Sequence, residues 1–254
     1  MLIRAWHYRL QENPNEISFI IENAGPGDTL IDVGANKGGF LYWMINKAGS
    51  KGKVIGFEPQ KFLHFFLKSF FSTKKYLQVT IESYALSDKE ETATMIIPEN
   101  GKPSSPGASI HFTLHDSPSA RLEKVQTTTL DNYCRLNNVI PALIKIDVEG
   151  HELKVIKGGL KTLRTYKPKI ILECEALQVG RSNVRETFNE LLSLGYNGFF
   201  FFKGDKLDIL NFEPERHQPE KFVGKKSIEY CSNFFFTQEI YNLMPSSPYL
   251  PMVE

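Results

Sequence analysis

Acidic side chains recur along this chain next to glycine turns and at the ends of apolar runs. Asp32 precedes the turn Gly34-Ala35-Asn36-Lys37-Gly38, and Glu58 closes the next apolar run, Val54 to Phe57. Ser87-Asp88, then Asp147, Glu149 and His151, then Glu173 and Glu175 follow in order. Gly34 and Gly38 permit an open turn whose backbone N–H groups can approach a ligand. A carboxylate about 20 residues beyond such a turn is placed to hold the two hydroxyls of a ribose, and Glu58 meets that spacing. A dinucleotide fingerprint would read Gly-x-Gly-x-x-Gly. The order Asp32-x-Gly34-x-Asn36-x-Gly38 has a carboxylate before its first glycine and suits a ligand with a positive charge and an amino-acid end better than a pyrophosphate. If Ala142 to Val148 is a strand, Lys145, Asp147 and Glu149 share one face by alternation. Asp147, Glu149 or His151 can then serve as a general base. The two carboxylates can alternatively bind a divalent cation that acidifies a hydroxyl, although no metal-ligand spacing supports this. Plainer roles stay open: Glu58 as an acid at a helix N-terminus, Glu149 as a helix cap, His151 as a surface helix residue.

These residues need a scaffold that gathers strand ends. The pattern predicts a helix over 14–24, opened by Pro14, and a strand over Thr29–Val33. A helix over Gly39–Ala48, a strand over Lys53–Phe57, an aromatic helix over 59–72 and a strand over 79–84 follow. This βαβαβ rhythm argues for a parallel sheet with right-handed crossovers. Such sheets bind ligands beyond the carboxyl ends of their strands. Residues 91–128 break the rhythm and read as an inserted β excursion, with strands at 91–98, 109–114 and 124–128. It is expected to form a substrate wall, with His111 and His115 in its loops. The rhythm resumes with a helix over 130–137, a strand over 142–148 and one helix over 152–165. A strand over 169–173, a helix over 182–193 and strands over 198–202 and 228–236 complete it. Residues 203–226 read as a long loop. The organisation expected is a helical extension over 1–27, a main domain over 28–240 and an irregular tail over 241–254.

The chain has 254 residues, 41% of them hydrophobic, and a formal net charge of +1. That length fits one large α/β domain, and the near-neutral charge argues against a dominant affinity for nucleic acid. Three widely spaced cysteines, Cys134, Cys174 and Cys231, fit neither a disulfide framework nor a metal site and point to a reducing, cytoplasmic setting. No stretch is long and apolar enough to span a bilayer. The aromatic run from Phe62 to Phe71 is expected to face the core, with a membrane-surface helix as the lesser reading.

The order of motifs resembles the FkbM family of S-adenosylmethionine-dependent methyltransferases. The resemblance rests on Asp32-Val-Gly-Ala-Asn-x-Gly, Phe57-Glu58-Pro59, Ala85-Leu86-Ser87-Asp88, Thr128-Thr129-Leu130-Asp131, Lys145-Ile146-Asp147-Val148-Glu149-Gly150 and Asn233-Phe234-Phe235-Phe236. It implies an α/β, Rossmann-like class I methyltransferase fold. The sheet would have seven mostly parallel strands, the last antiparallel, inside a three-layer α/β/α arrangement. It also implies O-methylation of a hydroxyl on a sugar, a glycan or a natural product. By the same resemblance Asp32, Gly34, Ala35, Asn36 and Gly38 cradle the methionine end of the cofactor. Glu58 would hold its ribose, and Ser87 and Asp88 would lie near its adenine. Two other functions fit the residues less well: a catalytically inactive binding module of the same fold, and a nicotinamide-dependent oxidoreductase, which Asn36 in place of a glycine disfavours.

Overall fold

The apolar runs become the inner strands of one sheet. The computed structural model describes residues 2–73, 76–98, 107–110, 120–222 and 227–238. The chain begins with α1 (Leu2–His7), which continues as a wider π-type turn over Tyr8–Glu12, and α2 (Pro14–Asn23). Next come β1 (Thr29–Val33), α3 (Gly39–Ala48), β2 (Lys53–Phe57), α4 (Lys61–Phe71), β3 (Val79–Glu82), β4 (Ala85–Leu86) and β5 (Thr92–Pro98). Then follow β6 (Ala120–Thr128), α5 (Leu130–Asn137), β7 (Leu143–Ile146), α6 (Glu152–Lys157), α7 (Leu160–Tyr166) and β8 (Lys169–Glu173). The described part closes with α8 (Ala176–Val179), α9 (Arg181–Ser193), β9 (Asn197–Phe202), β10 (Asp205–Asp208), α10 (Pro214–His217) and β11 (Asn233–Thr237).

The main sheet runs in the order β10-β9-β11-β8-β7-β1-β2-β3. β1 is parallel to β2 and β7, β2 to β3, and β7 to β8. β11 runs antiparallel between β8 and β9, as expected of the last strand. The sheet has eight strands, one more than expected, because β10 folds back antiparallel on β9. The hairpin turn is Lys203-Gly204, with φ of 54° and 92°. Two successive positive φ values match the right-handed twist of the flanking strands, so part of the expected loop over 203–226 is paired backbone.

Helices cover both faces, so side chains of the inner strands are buried on each side. On one face Ile31, Ile144, Ile146, Ile170 and Phe236 pack with Val155, Ile156, Leu163 and Phe188 of α6, α7 and α9. On the other, Leu30, Val54, Leu143 and Phe235 pack with Ile17, Ile20, Leu41, Met44 and Leu67 of α2, α3 and α4. β4, β5 and β6 form a separate three-stranded sheet with a small core of its own, including Ala85, Met95 and Val125. Ser109 pairs with Ile96 of β5 through both backbone bonds, 2.8 and 3.0 Å. The rest of the strand expected over 109–114 lies outside the described residues, apart from Ile110. So do His111, His115 and the tail at 241–254.

Three local expectations are corrected. The helix expected over 152–165 is two, divided at Gly158-Gly159. A Cβ on Gly158 would collide with the carbonyl of Ser87, so the chain needs glycine where it crosses behind β4. The strand expected over 142–148 stops at Ile146, which removes the alternation argument for Glu149. α4 buries Leu63, Leu67 and Phe71 but leaves Phe62, Phe65, Phe66 and Phe70 exposed. One stripe of a helix can face the sheet, and the apolar residues of α4 occupy more than that stripe.

Candidate functional site

The site forms where β1, β2, β7 and β8 deliver their carboxyl ends to one side of the sheet. Asp32 lies beside Lys145 in the β1–β7 register and is buried. Neither Asp32 oxygen accepts a hydrogen bond from the described residues, and Lys145 Nζ stands 3.9 Å from Oδ1. Burial raises the Asp32 carboxyl to about 6 against the opposing pull of Lys145. After Val33 the chain turns through Gly34, Asn36 and Gly38, with φ of 84°, 47° and 76°. A Cβ on Gly34 would strike the carbonyl oxygen of Asp147, so this glycine lets the β1 and β7 turns touch.

The amides of this turn are used within the protein. Gly34 and Ala35 donate to the carbonyl of Phe57 at 3.0 and 2.9 Å, and Gly38 donates to that of Ala35 at 2.7 Å. The Asn36 amide donates to Glu58 Oε2 at 2.7 Å. The expectation that these N–H groups reach a ligand is therefore corrected. A phosphate site needs free amides, and this turn instead presents acids. Glu58 is buried, and its Oε1 accepts from the Gln60 amide at 2.9 Å. Burial nevertheless pushes its carboxyl up to about 8, because the two amides only partly offset the lost hydration.

Lys145 is the buried cation of the site. Its ammonium donates to Asp147 Oδ2 at 2.9 Å and stands 4.5 Å from the centre of the Phe40 ring. Glu149 sits beyond the strand in a left-handed turn, φ 53°, followed by Gly150 at 98°. Left-handed backbone is rare for a residue with a Cβ and persists where surroundings hold it. Here Ser109 donates to the Glu149 carbonyl at 2.6 Å and Gln178 donates to its Oε2 at 2.7 Å. Burial, then neighbouring Asp147, Glu152 and Glu175, push the Glu149 carboxyl up to about 8. Glu152, in the first turn of α6, is buried and accepts the Gly150 amide at 2.9 Å.

His151 is buried, not a surface residue, and its Nε2 lies 2.9 Å from Ser87 Oγ. Ser87 in turn donates to Asp88 Oδ1 at 3.1 Å. A hydroxyl has one proton to give, so with that proton on Asp88 the Ser87 oxygen accepts from a protonated Nε2. Asp88 itself is exposed.

One cavity of about 1130 Å³ joins these groups. That is slightly above the roughly 300–1,000 Å³ typical of small-molecule sites. Gly34, Ala35, Asn36, Glu58, Asp147, Glu149 and His151 line it. Asp32 stands behind Lys145, and Gly38, Ser87 and Asp88 lie outside the lining. The cavity also takes Asn233 of the Asn-Phe-Phe-Phe motif and residues that the sequence did not single out, including Tyr8 and Glu16 from the N-terminal helices and Tyr230 before β11. Tyr8 stacks on Phe40, ring centres 5.6 Å apart, and covers Gly39 so closely that a Cβ there would enter its ring. Nothing in the pattern marks Glu16, which reads as an ordinary acid in the first turn of a helix. Among the described residues no group of three His, Cys, Asp or Glu side chains is arranged to hold a metal ion.

Among the described residues Lys145 is the buried ammonium beside Asp32, Glu58, Glu149 and Glu152, whose carboxyls are raised by burial first and by neighbouring carboxylates second. A ligand bearing a sulfonium and an ammonium supplies the missing charge. The residues present therefore fit the S-adenosylmethionine that the motif order implies.

A family model described as the methyltransferase FkbM domain matches residues 32–201. Among solved structures, the chain is similar to the methyltransferase FkbM of Methylobacillus flagellatus KT, with a TM-score of 0.53 and 16% identity over 92% of this chain and 53% of that one. A SAM-dependent methyltransferase of Aquifex aeolicus aligns with a TM-score of 0.46 and 15% identity over 91% of this chain and 92% of that one. For a SAM-dependent O-methyltransferase of Thermotoga maritima the values are 0.45 and 13%, over 90% and 66%. The chain spans about half the length of the Methylobacillus protein, and their likeness is one of fold. No curated protein matches the chain. The family match covers more than half of the sequence and contains Asp32, Glu58, Ser87, Asp147 and Glu149 in the order read from the motifs: the chain belongs to the FkbM family of S-adenosylmethionine-dependent methyltransferases.

Proposed function

We propose that this protein methylates a hydroxyl group of a sugar, glycan or natural-product acceptor, with Glu149 as the general base. S-adenosylmethionine supplies the electrophilic methyl group when bound. The chain's own residues must then orient the acceptor, exclude water and take one proton. The observation that carries the reading is Glu149: it faces the cavity on a braced left-handed turn, with its carboxyl raised to about 8. A base works best with a pKa near the working pH. Asp147 is paired with the Lys145 ammonium and the His151 Nε2 with Ser87, whereas Glu149 accepts from the neutral Gln178 amide through Oε2 alone. Gly34, Ala35 and Asn36 line the cavity where the methionine end would lie, with Asp32 and Gly38 shaping that turn from behind; Glu58 holds the ribose, and Ser87 and Asp88 support the adenine side through His151.

Residues 91–128 supply one acceptor wall through Met95, Ala108 and Ile110, and the chain after β9 supplies another through Lys203, Lys206 and Tyr230. The three cysteines are free, which fits work in a reducing, cytoplasmic compartment. The test is a methyl-transfer screen over sugars and lipid-linked glycans, with magnesium and with chelator. Glu149→Gln is expected to lower kcat by about 10²-fold or more while the affinity for S-adenosylhomocysteine stays within about twofold. Activity is expected to survive the chelator. Full activity in Glu149→Gln contradicts the base assignment, and loss of activity on chelation contradicts direct carboxylate catalysis.

A further inference from the structure

We propose that the outward face of α4 seats this protein on an anionic lipid surface. A helix packed on a sheet normally turns polar side chains to its outer pole. In α4 the buried stripe is Leu63, Leu67 and Phe71, and the pole opposite carries Phe65, 73% exposed, beside Phe62, 50% exposed. Phe66 and Phe70 extend the phenyl surface along one flank. Lys61 and Lys68, four residues before and three after Phe65, occupy the other flank. Phenyl rings at the pole with ammonium groups beside them are the arrangement by which an amphipathic helix lies in the headgroup region of a bilayer.

Charge selects the sign of that surface. Between Glu58 and Glu82 the sequence holds Lys61, Lys68, Lys74 and Lys75 and no Asp or Glu, although the whole chain carries a net charge of only +1. Such a segment is complementary to anionic headgroups. The N-terminal end of α4 also adjoins the cavity. Pro59 and Gln60, just before α4, and Tyr84, just after β3, line it, and His64 Nε2 lies 3.3 Å from the carbonyl of Ile81 in β3. Seating α4 on a membrane would bring the cavity to the lipid surface. The inference stands on the surface of α4 and not on the reaction, so the two can fail separately.

The experiment is co-sedimentation of the full chain with vesicles of phosphatidylcholine alone and with added phosphatidylglycerol. Binding is expected to rise with the anionic lipid and to fall as salt shortens the screening length to about 8 Å at physiological ionic strength. The double variant Phe62→Ser/Phe65→Ser is expected to bind about tenfold less or weaker. Lys61→Glu/Lys68→Glu should lose the preference for phosphatidylglycerol. Both should keep the wild-type melting temperature and affinity for S-adenosylhomocysteine, since the changed side chains lie on the surface. The proposal is overturned if wild type sediments with neither vesicle, or if Phe62→Ser/Phe65→Ser binds like wild type. It is equally overturned if light scattering shows a dimer that this variant dissociates while wild type ignores vesicles.

Discussion

Glu58 meets two opposed demands. Two backbone amides at 2.7 and 2.9 Å favour its ionised form, and complete burial disfavours it. Burial wins, and the same holds for Asp32, Glu149 and Glu152, raised to about 6, 8 and 7. Each group thus binds a proton in the folded state at a pH where the unfolded chain has released it. Folded protein holds more protons, so the contribution of these groups to stability is complete below about pH 4.5 and is lost as pH rises through about 8. The unliganded protein is therefore expected to melt lower at pH 8.5 than at pH 6. Glu58→Gln, which cannot ionise, should flatten that slope, a difference of about 2 °C or more if one group contributes on the order of 1 kcal/mol. Differential scanning fluorimetry across that range checks it, and an equal slope in wild type and Glu58→Gln contradicts it. At this scale the chain was largely legible: alternation put Lys145 on the same face as Asp147, and the buried ammonium bonds Asp147 at 2.9 Å. Glu16 was not legible, because its burial depends on the packing of α2 over α3, which no local pattern encodes.

At the scale of elements, two turns make the site. The β1 turn touches the β7 turn through Gly34, and the second turn is the Glu149-Gly150 pair with its left-handed backbone. Gly34→Ala introduces both a collision with the Asp147 carbonyl and a positive-φ alanine. It is expected to separate the turns, lower stability by about 1–3 kcal/mol and weaken cofactor binding more than tenfold. Chemical denaturation and calorimetry read the two effects, and a variant that binds like wild type contradicts the contact. Strand alternation grouped Asp147 with Glu149 for an incomplete reason: β7 stops at Ile146, and the turn carries Glu149 to the cavity. The division of α6 from α7 was visible as Gly158-Gly159, and the β9–β10 hairpin as Lys203-Gly204. Their reasons, the Ser87 carbonyl behind Gly158 and the φ values of the turn, exist only in three dimensions.

At the scale of the molecule, the layered sheet brings the N-terminal helices, β4 to β6 and the chain after β9 around one cavity. The parallel core was legible because βαβ rhythm and right-handed crossovers leave few topologies. The excursion over 91–128 was read as a wall, and Met95, Ala108 and Ile110 do line the cavity; the wall from the N-terminal helices was not legible, since it depends on which helices fold over the sheet ends. Tyr8 illustrates this: a residue in a segment of mixed composition closes over Gly39 and stacks on Phe40. We propose that this cavity holds S-adenosylmethionine with Glu58 on the ribose. Isothermal titration of S-adenosylhomocysteine into wild type and Glu58→Ala tests it most directly. The predicted result is one site per chain in wild type and affinity lowered at least about tenfold in Glu58→Ala, the size of one charge-assisted hydrogen-bond loss. No binding by wild type, or equal binding by Glu58→Ala, contradicts the claim.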